Sequence, residues 1–311
     1  MTGLAVVRAI HLAAAIQTIG ALLFVWIVED APLLRFRPRT STLSGLLVRL
    51  ALLCVVIVAA SGAAWFALQI ADMTEGSLGE AWTSGAVSAV LFKTRAGIIW
   101  WVRLAIVIAL AIVMLALARG APNRAAVVAA LTLAIANLTT CAWLSHAAGD
   151  AGPFGALHLG IHAAHTLGVA VWVGGLIPLA MVLSTMQSAC DNDAAAFVHR
   201  LGVRFGNIAL LSVALIVLTG IANTALVVQD ASDPESGTYA KLLAAKLLLF
   251  LIMLVLATAN RQWLVPRLTD GKPSHAAMWL RRSVLAEAAL AAVVLLIVGA
   301  LGITAPGAAT D

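Results

Sequence analysis

Apolar residues in this chain come in long blocks. They do not form the one-sided stripes of a water-soluble helix or the alternation of a half-buried strand. The first block runs from Leu4 to Val28 with Arg8 as its sole formal charge. A bilayer core takes about 20 apolar residues of helix, so this block is long enough to cross. Seven further blocks meet the same rule, giving predicted spans at 4–28, 46–70, 96–118, 125–145, 157–183, 206–228, 240–259 and 283–303. Barrel-type alternation is absent. The pattern predicts an all-α, polytopic membrane protein with eight transmembrane helices, a single integral membrane domain over residues 1–311.

Composition agrees. Of 311 residues, 62% are hydrophobic and 11% charged, against about 25% charged in a soluble domain, and the mean hydropathy is +1.03. The first block is too long for a signal-peptide core and has no small-residue cleavage site. No GxxxxGK[ST] loop, GxGxxG fingerprint, HExxH helix or GxSxG elbow occurs. Nucleotide-driven pumping within the chain is thereby excluded, and the expected role is not enzymatic. The basic pI near 9.6 comes mostly from one set of loops and does not point to nucleic acid.

That set holds Arg35, Arg37, Arg39, Arg49, Arg119, Arg124, Arg200, Arg204, Arg261, Arg267, Lys272, Arg281 and Arg282. The alternate side carries Arg8, Lys93, Arg95, Arg103, Lys241 and Lys246. The positive-inside rule places the first set in the cytoplasm and both termini outside. Tryptophans are expected at both interfaces, Trp65, Trp82, Trp100, Trp101 and Trp143 outside and Trp26, Trp263 and Trp279 inside.

An internal duplication is also expected. "ALLCVVIVAASGAAWFALQ" (51–69) aligns without gaps on "ALLSVALIVLTGIANTALV" (209–227), with eight of nineteen positions identical. Ser61-Gly62 falls on Thr219-Gly220. The third and seventh spans each carry a basic residue in their outer part, Arg103 and Lys246, and the first and fifth both open with histidine. Four helices return the chain to its starting side, so halves 1–150 and 151–311 are predicted to form a 4+4 parallel repeat about an axis along the membrane normal.

Candidate chemistry lies in the histidines. His158, His162 and His165 stand at i, i+4 and i+7, one stripe of a helix that turns about 100° per residue. His11 enters the first span to a depth matching His162 and His165, and His146 ends the fourth span. Ionisable groups inside a membrane usually face a bundle interior or a water-filled path, and neutral imidazole is a common metal ligand. The pattern nominates a metal site formed by His11, His162 and His165, with His158 and His146 as outer ligands. Met73, Cys141 and Asp150 are possible secondary ligands. The spacing equally allows bis-imidazole ligation of a b-type haem in electron transfer. Arg103 and Lys246 are expected to snorkel outward along their stems. Glu287 is expected to pair with an inner arginine, with a proton-coupling role as the alternative. Cys190, Asp191, Asp193, His199 and His275 are weaker candidates to receive metal at the inner side. The three cysteines show no CxxC spacing.

Three segments together resemble the bacterial copper resistance protein D family: "HLGIHAAHTLGVAVWVGGLIPL", "RFGNIALLSVALIVLTGIANTALVV" and "YAKLLAAKLLLFLIMLVLATANRQ". The resemblance rests on the histidines with Trp172, Gly174 and Gly175, on Phe205, Thr219, Gly220 and Asn223, and on Lys246 with Asn260 and Arg261. It implies an inner-membrane protein that accepts copper from the periplasmic side, transports it toward the cytoplasm, and acts with a separate periplasmic copper-binding protein of the CopC type. A copper-delivery scaffold for another membrane protein is the further alternative. The methionine-rich motifs expected of a Cu(I) conduit are absent from the sequence, which leaves the histidines as the ligand set.

Overall fold

The computed structural model describes residues 2–29, 37–73, 78–120, 123–144, 152–187, 192–229, 237–269 and 273–304. Among these no strand occurs and ten α-helices follow one another. They are α1 (Thr2–Glu29), α2 (Arg37–Met73), the short α3 (Leu78–Thr83) and α4 (Ala86–Lys93), α5 (Arg95–Arg119), α6 (Arg124–Thr139), α7 (Gly152–Gln187), α8 (Asn192–Gln229), α9 (Thr238–Ala259) and α10 (Pro273–Leu301). A 3₁₀ turn, Thr140–Leu144, extends α6, and a π-helical turn, Asn260–Leu264, extends α9.

Among the described residues eight helices are long and apolar enough to cross a membrane, each overlapping one predicted span: Gly3–Glu29, Thr42–Asp72, Arg95–Arg119, Arg124–Trp143, Phe154–Ser184, Ala196–Leu226, Thr238–Leu268 and His275–Leu301. Several helices run past the predicted ends into polar sequence, as α2 does over 37–45 and α8 over 192–205; apolar length marks a membrane crossing, not where the helix stops. The 37 residues of α2 reach about 55 Å at 1.5 Å per residue, well beyond a ~30 Å hydrocarbon core. The pair α3 and α4 occupies a segment read from sequence as loop. Thr94 caps the next helix by accepting from the Gly97 amide.

The most enclosed helices are α1 and α7, and they pack against each other at the centre. Around them α1 also packs on α2, α6 and α10, and α7 on α8 and α10, while α5 and α9 lie outside. Lipid is as apolar as leucine, so helices in a bilayer associate by close packing, which small residues permit. Gly20 of α1 meets Gly174 of α7 backbone to backbone: a Cβ on either would fall on the other helix's main chain. Pro178 lies inside α7, which remains one continuous helix.

Chain direction alternates through the bundle. At one end the start of α1 meets the end of α10, where Arg8 Nη1 donates to the Gly302 carbonyl at 2.8 Å, and the Arg8 guanidinium stacks 4.9 Å from the Trp65 ring of α2. At the other end Trp26 receives Arg124 and Arg204 at 5.9 and 5.4 Å. Trp65 departs from expectation. It is 2% exposed and turned into the bundle among cations and rings, where a surface position was expected.

Candidate functional site

Two histidine constellations lie toward the end of the bundle where α1, α5, α7 and α9 begin. The first is built on His11 of α1, which is 1% exposed. On α2, Ser61 Oγ donates to the Ile57 carbonyl at 2.5 Å. Its hydrogen is thereby used, so it can only accept from His11 Nδ1, 3.0 Å away. Nδ1 therefore carries the ring proton, and Nε2 presents its lone pair to Arg103 Nη2 at 2.6 Å. Gly62 supplies the room, since a Cβ there would already touch the ring at 3.4 Å.

Arg103, on α5, does not snorkel. It is 3% exposed, and its Nη1 donates to Thr140 Oγ1 at 2.8 Å and Cys141 Sγ at 3.2 Å. Its guanidinium stands 5.1 Å from the Trp100 ring and 5.7 Å from Trp65. The reason is donor satisfaction: two side-chain oxygen and sulfur acceptors, an imidazole nitrogen and two ring faces point at it from inside, replacing the hydration a snorkelling side chain would seek. Arg103→Leu is expected to lower stability by about 1–3 kcal/mol, the usual result of leaving buried acceptors unpaired. A lowered Tm in detergent with the helix content unchanged checks this.

The second constellation has the same parts with a different outcome. Thr219 Oγ1 of α8 donates to the Leu215 carbonyl at 2.5 Å and accepts from His165 Nδ1 at 3.1 Å. A Cβ on Gly220 would touch the His165 ring at 3.5 Å. Among the described residues nothing hydrogen-bonds His165 Nε2. Lys246 of α9 lines the same cavity as His165 without bonding to the ring. The cavity is about 540 Å³, bordered also by Trp172, Gly220, Thr224 and Phe250. His11 and Arg103 line one of about 280 Å³, and the two cavities share no residue. Packing explains the difference in size: α2 lies along α5, whereas α8 and α9 are not packed along one another.

The remaining candidates are scattered. His158 is buried, and His162 is half-buried on the same α7 stripe. Among the described residues no group of three or more His, Cys, Asp or Glu is arranged to hold a metal ion. His11 and His165 line different cavities. Cys141 is turned to Arg103 and also lies 3.9 Å from the Asn137 carbonyl. His146, Asp150, Cys190 and Asp191 lie outside the described residues, as does the side chain of Met73. His275 is exposed and His199 half-buried. Glu287 is paired with the amide of Asn260, not with an arginine. Sequence reasoning had marked Ser61 and Thr219 only as matching positions; the structure makes each the hydrogen-bond partner of a histidine.

Eight apolar helices around two inward-facing histidines, each beside a cation, define a polytopic membrane protein with polar chemistry held inside the bundle. Two family models match the chain, copper resistance protein D over residues 199–301 and the copper resistance protein D-like N-terminal domain over residues 1–157. The chain belongs to the copper resistance protein D family. It is 30% identical over 219 residues to copper resistance protein D of Pseudomonas syringae pv. tomato, covering 69% of this chain and 70% of that one. It is 29% identical to the inner membrane protein YebZ of Escherichia coli, over 74% of this chain and 77% of the relative. Copper transport protein CutJ of Bacillus subtilis is 28% identical over 62% of this chain, which spans 36% of that longer protein. No solved structure matches the chain.

Proposed function

We propose that the chain is an inner-membrane copper-binding protein that accepts copper at its periplasmic face and carries it toward the cytoplasm. In this reading it is a carrier and not an enzyme. The observation that carries the reading is His165: a ring oriented by Thr219 through Nδ1, with the Nε2 lone pair open to a cavity. A metal-binding histidine characteristically donates its other ring N–H to a fixed acceptor, which sets tautomer and orientation. His162 and His158, up the same stripe of α7, form the approach from the outer surface. The separate CopC-type partner and the periplasmic position of both termini belong to the same reading.

Copper is here a cargo, and the donor set tolerates it on one condition. Lys246 lines the cavity, and its ammonium repels a cation there. Binding is therefore linked to loss of the Lys246 proton, after which the neutral amine is a further nitrogen donor. Thr219→Val keeps the shape but removes the acceptor for Nδ1–H, and is expected to weaken copper binding about 10- to 100-fold. Competition titration with a chelator of known affinity measures it.

The two halves are read as a parallel repeat in which His11, Ser61, Gly62 and Arg103 correspond to His165, Thr219, Gly220 and Lys246. Supporting this, each hydroxyl back-bonds within its own helix and accepts from its histidine. A b-type haem shared between His11 and His165 is the less favoured alternative, because Arg103 already occupies His11 Nε2. Metal analysis with an optical spectrum tests the proposal. Bound copper without a Soret band supports it, and a Soret band with sharp reduced α-bands overturns it. Copper uptake into proteoliposomes holding only this chain separates a carrier from a delivery scaffold.

A further inference from the structure

Midway along α10 (Pro273–Leu301), Glu287 is 1% exposed within a span. Its carboxylate Oε1 accepts from Asn260 Nδ2, and no other hydrogen bond to Glu287 occurs among the described residues. Asn260 is itself 7% exposed, and its Oδ1 is buried without any hydrogen-bond partner. It opens the π-helical turn Asn260–Leu264, a distortion often found at functional sites. One neutral amide does not offset the loss of hydration of a carboxylate inside a membrane. The missing component is the same on both sides: the acid lacks a cation, and Asn260 Oδ1 lacks a donor. A single proton on Glu287 satisfies both, because an acid and a carboxamide can close a ring of two hydrogen bonds, Nδ2–H to one carboxyl oxygen and O–H to Oδ1.

We propose that Glu287 and Asn260 form an exchangeable proton-binding site, with a carboxylic acid hydrogen-bonded to an amide, in a cavity separated from that of His165 by Trp172, which borders both. Both residues border a cavity of about 100 Å³ with Trp172, Phe205, Gly206 and Arg261. Among the described residues, Arg261 is the only other ionisable one on its lining. It donates through Nη2 to Asn207 Oδ1 at 2.9 Å and is solvent-exposed, so it sits at the mouth and not on the acid. Residues of α7 and α8 that border the cavity are apolar or glycine. On α10 itself, Arg281 and Arg282 lie more than one turn before Glu287 and do not line it. Water entering past Arg261 takes the proton from the acid and leaves a carboxylate. The reverse transfer restores the acid, with no other reactant needed.

Infrared spectroscopy of the purified full chain in lipid at neutral pH tests this without reference to copper. The carbonyl stretch of a protonated carboxylic acid is expected, shifting down in D₂O and disappearing in Glu287→Gln. Absence of that band at neutral pH overturns the site, and so does a band that survives Glu287→Gln. A band that does not shift in D₂O overturns exchange with water. Should Glu287→Gln fail to fold, Asn260→Ala serves: the band must move to higher frequency as its partner is lost, and an unmoved band refutes the pairing.

Discussion

Alanine at His165 is expected to strip copper from the purified protein, lowering affinity by about a hundredfold, some 2.7 kcal/mol, whereas alanine at His11 leaves copper content close to wild type. The contrast follows from which lone pair is free. In both rings Nδ1–H is committed to a hydroxyl oxygen, so only Nε2 can reach a metal. At His11 that atom is 2.6 Å from a buried guanidinium. Copper there would have to displace Arg103 from a site in which all its contacts are satisfied. At His165 nothing among the described residues hydrogen-bonds that atom, and the ring lines a cavity together with Lys246. His11→Ala instead acts on folding. It leaves Arg103 Nη2 and Ser61 Oγ without their imidazole, and about 1–3 kcal/mol of stability is lost. Metal-to-protein ratio and Tm, measured on the same two variants, separate the effects. If His11→Ala empties the protein while His165→Ala does not, the assignment is reversed.

The largest structural effect is expected at the crossing of α1 and α7. Gly20→Val or Gly174→Val places a branched side chain where the partner's main chain already lies. A flexible neighbour could rotate aside, but a carbonyl cannot. The central pair must separate, and with it the packing of α2, α10 and α8 that rests on those helices. Overpacking a core usually costs about 1–3 kcal/mol; contact with backbone places these variants at or above the upper end. Gly3→Ala and Gly45→Ala, where an added Cβ meets nothing within 4 Å, are the controls. Size-exclusion profiles and thermal denaturation of all four variants check the ranking, which equal behaviour of the central and control glycines would refute.

The eight spans were readable because a bilayer imposes one crude demand, uninterrupted apolar length, and blocks such as Leu4–Val28 meet it without ambiguity. Direction around each helix was not readable in the same way. A helix apolar on all sides, like α5, gives no preferred face, so Arg103 looked like a residue reaching for water. Its inward aim depends on Thr140 and Cys141 of the turn after α6 and on Trp65 of α2, two other parts of the chain. The stripe on α7 was correctly placed as one face, yet sharing a face does not put residues in one cavity. His165 meets Thr219, while His11 meets Ser61, and only contacts between helices distinguish the two. The alignment of Ser61-Gly62 with Thr219-Gly220 held the information. Without a histidine drawn beside each pair, it read as a sign of ancestry, not as a description of two pockets.

Beside His165 the cavity opens between α8 and α9, which are not packed along one another. Its lining is almost wholly apolar, Ile221 and Leu247 included, so in a bilayer an acyl chain is expected to compete for that space. Whatever reaches His165 from the side has first to evict a lipid tail. Occupancy of the site then depends on the membrane around it as well as on copper concentration. Saturated, tightly ordered chains should compete differently from short or unsaturated ones, making the bilayer a third party to metal capture.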